Sequence, residues 1–413
     1  MRGPATAERA PQSGGPALRR ALSTPLVVLY GLGVTVGAGI YVLVGATAAL
    51  AGPFAPVSFL IAAFVVGFTA MSYAELASRY PVSAGEAAYV EAGFNSDRIA
   101  TLVGLMVALS GMVSAAAVSV GAAGYLQALL GADKGVLVGL VVVLMGIIAV
   151  WGIVQSVMIA AIITVIEIGG LLLVIAWSLL GADPLGVPVS AVVPPLWGPH
   201  WLGIGAASLL AFFAFVGFED MANVAEEVKD PSRTMPLAIG ITLVAATLLY
   251  IATTTCILLA VPVSDLAQSE APLALVFSNA DAGTRRAFNL IAIVATMNGV
   301  LIQIIMASRV LYGLASRGQL PRQLAWVSAR TQTPVVATIL VAAGVMTLAL
   351  LFPIDVLASH TSQVVLLVFV LVNIALLLLK SRGFDERTHF RVPAIVPVLG
   401  IVTSVALFLT SFL

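Results

Sequence analysis

Glu167 is the only charged side chain in the 23-residue run MIAAIITVIEIGGLLLVIAWSLL, Met158 to Leu180. An ionisable group held at the centre of a bilayer costs ~2.5–3.5 kcal/mol or more, so one found there is a functional candidate. Three kinds of chemistry are open to it. It can gain and lose a proton, ligate a sodium ion with oxygen partners such as Thr296 or Asn298, or serve as a protonated, hydrogen-bonded structural acid. Two further stretches break the helical pattern around them. GVTVGAGIYVLVG, Gly33 to Gly45, has glycine at four of its thirteen positions, with Gly37, Ala38 and Gly39 in a row. SLLAFFAFVGFEDMANVAEEVKDPSRTMP, Ser208 to Pro236, carries Gly217 and then Glu219, Asp220, Glu226 and Glu227. Glycine is a poor helix former, and an unpaired backbone amide in lipid is costly.

The elements that must position these groups are membrane helices. The chain has 413 residues, 61% hydrophobic and 9% charged, against roughly 25% charged in a soluble protein. At about 20 apolar residues per crossing, eleven spans are predicted: 23–50, 55–77, 99–130, 135–151, 156–180, 201–220, 236–261, 286–312, 334–352, 356–379 and 393–412. With the N-terminus inside, the inner stretches hold 16 of the 19 Lys and Arg residues, as the positive-inside rule requires. Eleven spans then place the C-terminus outside. The single Cys256 excludes an intramolecular disulfide framework.

The fold class expected is an all-α polytopic membrane protein. Spans 1 and 6 are the first helices of two five-helix halves, which an odd span number inverts relative to each other. The expected organisation is a disordered cytoplasmic tail at 1–20, a first inverted repeat at 21–180, a second at 181–380, and a loop with helix 11 at 381–413. Glycine interruptions at matching places in two halves point to a transporter's binding site. A break at Gly37–Gly39 exposes amides at a half-helix N-terminus, which suits a carboxylate. A break near Phe213–Gly217 exposes carbonyls, which suit an ammonium. Together they fit a zwitterion, an α-amino acid. The competing reading of Gly33 and Gly37 is a GxxxG helix-packing motif.

The chain resembles the amino acid–polyamine–organocation superfamily, close to its bacterial amino acid permeases. The matching stretches are GVTVGAGIYVLVGA, YAELASRYPVSAGEAAYVEAGF (Tyr73–Phe94), FFAFVGFEDMANVAEEVKDPSRTMP (Phe212–Pro236) and ASRVLYGLASRGQLP (Ala307–Pro321). The resemblance implies a leucine-transporter-like fold of two inverted five-helix repeats plus one extra helix, working by alternating access in the cell membrane. By position, it puts a substrate carboxylate on the backbone of Gly37, Ala38, Gly39 and Ile40, and the amine on the carbonyls of Phe213, Ala214 and Val216. Phe213 matches an aromatic gate closing from outside, and Glu219 an acid near the cytoplasmic gate. There are two departures. Relatives usually have twelve spans, and Glu167 stands in IEI, where proton-coupled relatives carry a lysine.

The expectation is therefore secondary active transport of amino acids, driven by a proton gradient with Glu167 and Thr296 as coupling residues. Sodium coupling, exchange, a transporter-like sensor and a polyamine or amine carrier stay open as alternatives. Span 3, Thr101–Leu130, carries no charge, and a buried unpaired cation is expensive. This favours neutral substrates, with Met112 and Asn298 read as pocket residues. Glu75 is expected in an ion pair, either with a gate residue such as Arg309 or as a structural pair at the membrane edge. There is no HExxH, GxSxG or Cys/His cluster, so no enzyme, metal or cofactor is expected. The partners expected are a small amino acid and the lipid bilayer, with no nucleic acid.

Overall fold

The computed structural model describes residues 20, 22–37, 39–81, 85–151, 157–180, 188–382 and 389–412. The N-terminal tail at 1–19 and Ala38 lie outside the described residues. The first span is two helices, α1 (Thr24–Val36) and α2 (Gly39–Ala51). A short 3-10 turn with Gly52 at φ +58° leads into α3 (Ala55–Arg79), the second span. Helix α4 (Gly85–Phe94) lies between spans 2 and 3. Spans 3 to 5 are α5 (Asp97–Leu130), α6 (Lys134–Trp151) and α7 (Val157–Leu180). Span 6 is α8 (His200–Phe213), a turn, and a 3-10 segment, Phe218–Glu227.

Span 7 is α9 (Pro231–Ala260), followed by the short α10 (Val263–Gln268) and a 3-10 segment at Pro272–Phe277. Spans 8 to 11 are α11 (Ala282–Ser316), α12 (Val335–Leu351), α13 (Ile354–Ser381) and α14 (Ile395–Leu409). Nine helical segments among the described residues are long and apolar enough to cross a bilayer, and α1 and α12 are shorter apolar helices. One of the nine, Gly39–Arg79, holds both α2 and α3, so the crossings number eleven, as predicted.

The helix packing repeats with a period of five spans. Span 1 packs on 5 and 7, and span 6 packs on 10 and 2. Span 3 packs on 4, 9 and 10, and span 8 packs on 9, 4 and 5. Spans 1 and 6, 2 and 7, 3 and 8, and 4 and 9 pack on their own counterparts. Adding five to every span number therefore maps these contacts onto one another. Consecutive spans run in opposite directions, so a shift of five is an inversion. Span 11 stands outside this pattern and rests on α13 and α3.

Polar groups fasten span 11 to the core. The Glu75 carboxylate, buried on α3, accepts from Lys380 Nζ at 2.7 and 2.6 Å and from the Val392 amide at 2.7 Å. Lys380 Nζ also reaches the Val392 carbonyl at 2.7 Å. Of the two partners open to Glu75, the structural pair is the one formed, and Arg309 is elsewhere. Deeper in the membrane, Asn373 on α13 donates to Thr69, accepts from Ser72, and leaves room only for a glycine at position 400. Breaking one side of a buried pair costs ~3–5 kcal/mol because the other charge stays buried. Lys380→Met is therefore expected to lower the thermal unfolding temperature in detergent markedly. The double change with Glu75→Met should recover much of the loss, and equal melting of the single and double variants would contradict this account.

Candidate functional site

The two broken helices meet back to back. A Cβ built on Gly39, the first residue of α2, would collide with the Ala214 Cα, just past the end of α8. A Cβ on Gly217, held at φ +118°, would lie 2.9 Å from the Val34 carbonyl oxygen. Both positions demand glycine, the second for its conformation as well as its space. The Tyr250 hydroxyl, on α9, lies 2.7 Å from the carbonyl oxygens of both Thr35 and Ala214. It ties the end of α1 to the end of α8. Beyond Phe213 the chain turns through close contacts, with Val216 N donating to Phe213 O at 3.1 Å and Gly217 N to Glu219 Oε2 at 2.9 Å.

A small cavity lies between these breaks and helices α5 and α11. It is lined by Val34, Thr35, Gly39, Ser114, Val118, Phe213, Val216, Gly299, Ile302 and Gln303. Its water-accessible volume is about 10 Å³, room for the centre of roughly one water. Of the residues expected at a substrate site, Gly39, Phe213 and Val216 line it. Gly37 and Ile40 lie behind the wall, and Ala214 is turned onto Gly39. Gly39 opens α2, and the first turn of a helix is where backbone donors face outward. Met112 is not a pocket residue. Its methyl packs where a Gly344 Cβ would be, on α12. Ser114, about 200° further round α5, faces the cavity instead. Val34, Thr35, Ser114, Val118, Gly299, Ile302 and Gln303 are lining residues that the sequence pattern does not single out.

Glu167 sits outside this cavity, behind Gly37. A Cβ on Gly37 would lie 3.0 Å from Glu167 Oε1. That oxygen accepts from Asn298 Nδ2 at 3.1 Å, while Oε2 is buried without a partner among the described residues. The Glu167 backbone carbonyl accepts from the Tyr41 hydroxyl at 2.6 Å. Asn298 is thus a partner of the acid and not a lining residue of the cavity. Thr296 does not reach Glu167: its hydroxyl bonds back to Ala292 O and Ile293 O at 2.8 and 3.1 Å. Two residues along a helix are separated by about 200°, so Thr296 and Asn298 cannot share a face. Among the described residues no group of His, Cys, Asp and Glu could hold a metal.

The cavity is closed from one side by a single helical layer. Gly39, Val118 and Phe213 line it. Val42, Gly121 and Leu210, each three residues away along its own helix, line a vestibule of about 350 Å³ beside α10. A turn of helix rises about 5.4 Å, so the layer between is thin. The wall is sealed by Gly121, whose missing Cβ would collide with Val42 Cγ1. Towards α4 the route is longer. A second small cavity shares Val216 and Gln303 with the first and is lined also by Glu86, Ser110, Glu219, Asp220, Met306 and Phe369. It adjoins a vestibule of about 420 Å³ that holds Arg309 and Arg317. The passage follows one stripe of α5: Val107, Ser110, Ser114, Val118 and Gly121.

Two broken helices meeting at a buried cavity, inside a packing pattern that repeats with inversion, are the architecture of a secondary transporter. The chain belongs to the amino acid permease family, whose pattern it matches over residues 22–413. It is 30% identical to the branched-chain amino acid permease BcaP of Bacillus subtilis (strain 168), over 96% of this chain and 89% of that protein. It is 33% identical to the vacuolar cationic amino acid transporter 2 of Arabidopsis thaliana, over 91% of this chain but only 62% of that longer protein. It is 28% identical to the methylthioribose transporter of Bacillus subtilis (strain 168), over 95% of this chain and 88% of that one. The protein is a multi-pass membrane transporter of amino acids and not an enzyme.

Two outcomes follow from the geometry. Gly39→Ala drives a methyl group into the Ala214 backbone and should reduce uptake more than tenfold. Gly169→Ala, on α7 where a Cβ meets nothing within 4 Å, should leave it within twofold. Comparable uptake by the two variants would refute the close approach. Glu86, buried on α4, is pushed up to about 7 by desolvation. Its folded form keeps a proton that the unfolded chain releases near pH 4.5. Its contribution to stability therefore falls as pH rises from about 5 through 7. Glu86→Gln should remove that fall in melting curves taken across this range.

Proposed function

We propose that the protein is a proton-coupled permease of neutral amino acids in the plasma membrane, working by alternating access with its N-terminus and α4 face in the cytoplasm. The observation that supports coupling is the place of Glu167. It lies against the C-terminal end of α1, where the helix dipole is negative, with one carboxyl oxygen on Asn298 and the other unpartnered. This setting suits a carboxyl that carries a proton, and Gly37, which it packs against, lies in sequence between two cavity-lining residues, Thr35 and Gly39. The binding reading rests on the start of α2 at Gly39, a helix N-terminus, for a carboxylate and on the turn at Phe213–Val216 for an ammonium. Phe213 and Glu219 stand on the outer and inner sides of the cavity, in keeping with gate roles. The cavity wall is apolar or uncharged throughout, which favours a small neutral side chain.

The test is uptake of radiolabelled amino acids into proteoliposomes under an imposed inward proton gradient, then a sodium gradient. Accumulation driven by protons and lost in Glu167→Gln is the expected result. Accumulation driven only by sodium would overturn proton coupling. Counterflow that survives in both proteins without any accumulation would make it an exchanger and leave Glu167 a structural acid.

A further inference from the structure

We propose that the inner cavity beside Glu86, Glu219 and Asp220 is a second binding site on the release route, for a primary ammonium group. It rests on the reading of the protein as an amino acid permease but not on proton coupling. The polar side chains of the site are mostly acceptors: three carboxyl groups and one amide. Glu86 and Asp220 enter from α4 and from the 3-10 half of span 6, Glu219 from the same half-helix, and Gln303 from α11. Asp220 Oδ2 and Gln303 Oε1 belong to residues 4% and 6% exposed and have no hydrogen-bond partner among the described residues. The hydrogen bonds around the three acids spend donors on only part of this capacity: the Tyr73 hydroxyl reaches Glu86 Oε1 at 3.3 Å, and the Gly217 amide reaches Glu219 Oε2. Arg309 lines the wider vestibule and forms no ion pair among the described residues.

Buried acceptors without donors are unfavourable unless something supplies N–H or O–H groups. The donor that fits best is cationic, because a positive charge lets these carboxyl groups give up their protons and ionise against it. It must also be small. The cavity has a water-accessible volume of about 10 Å³, which admits a group the size of one water. A primary ammonium is that size and carries three donors, whereas a planar guanidinium is larger. The Phe369 ring on the wall adds a face that attracts a cation. The site shares Val216 and Gln303 with the substrate cavity, and every α-amino acid leaving towards α4 carries such a group past it.

The experiment uses n-butylammonium, which has the ammonium and lacks the carboxylate that the α2 end would hold. Binding of the radiolabelled amine is measured by equilibrium dialysis on the full chain in lipid nanodiscs, where both faces reach solvent. Saturable binding is expected, weakened at least tenfold in Asp220→Asn and in Glu86→Gln, and unchanged in Glu167→Gln. Tetramethylammonium, with no N–H, should compete at least tenfold more weakly. Amino acid binding retained by the variants shows that they are folded. No saturable binding by the wild type would overturn the site and show that its acids are satisfied by protons. Binding indifferent to Asp220 and Glu86 would place the amine in the central cavity and also overturn it. Equal displacement by sodium would make it a metal-ion site and overturn the ammonium assignment. None of these results depends on which gradient drives uptake, so the two proposals fail separately.

Discussion

The contact between Gly39 and Ala214 is the constraint on which the rest of this protein hangs. Two helices that stop in mid-membrane leave backbone groups that lipid cannot satisfy. The structure resolves this by bringing each break against the other, so that the interrupted backbone faces protein on one side and a small cavity on the other. Only a hydrogen atom in place of a side chain on Gly39 allows that approach. The Gly217–Val34 contact does the same in the opposite half. The backbone bridge between Leu22 and Val228, with Leu22 N donating to Glu227 O at 3.0 Å, closes the α4 end. The ends of spans 1 and 6 on that face are therefore clipped into one body.

Charge is arranged around this joint and not within it. The cavity wall is uncharged. Glu167 is one backbone layer behind it, and the acids of span 6 and α4 lie one cavity further along. Glu75 is held apart with Lys380, where it fastens span 11.

Much of this is legible in the sequence because it depends on residues that are unusual where they stand. Eleven apolar runs, glycine breaks at spans 1 and 6 and a lone Glu167 are departures from a lipid-soluble background, and each is where the structure has a feature. What does not read is rotation about a helix axis. Helix α5 is apolar or small all the way round, so no polar face marks which side meets the cavity. The bulk of Met112 makes it look like a pocket residue, while the stripe of small residues through Ser110, Ser114 and Gly121 is the better signal. Thr296 and Asn298 look like a pair because they are close in sequence, although about 200° of helix separates them. Glu86 carries no signal in the sequence because the residues that line its cavity with it, Asp220 and Gln303, come from spans 6 and 8, and only the fold brings them together.

The Tyr250 hydroxyl has a single hydrogen and two carbonyl oxygens at 2.7 Å, one on each broken helix. Its one proton is shared between them, the same two-acceptor arrangement that the Thr296 hydroxyl makes with Ala292 and Ile293. The joint between the two broken helices is thus braced by one donor serving both, and losing the hydroxyl at position 250 would strand a buried carbonyl on each side at once.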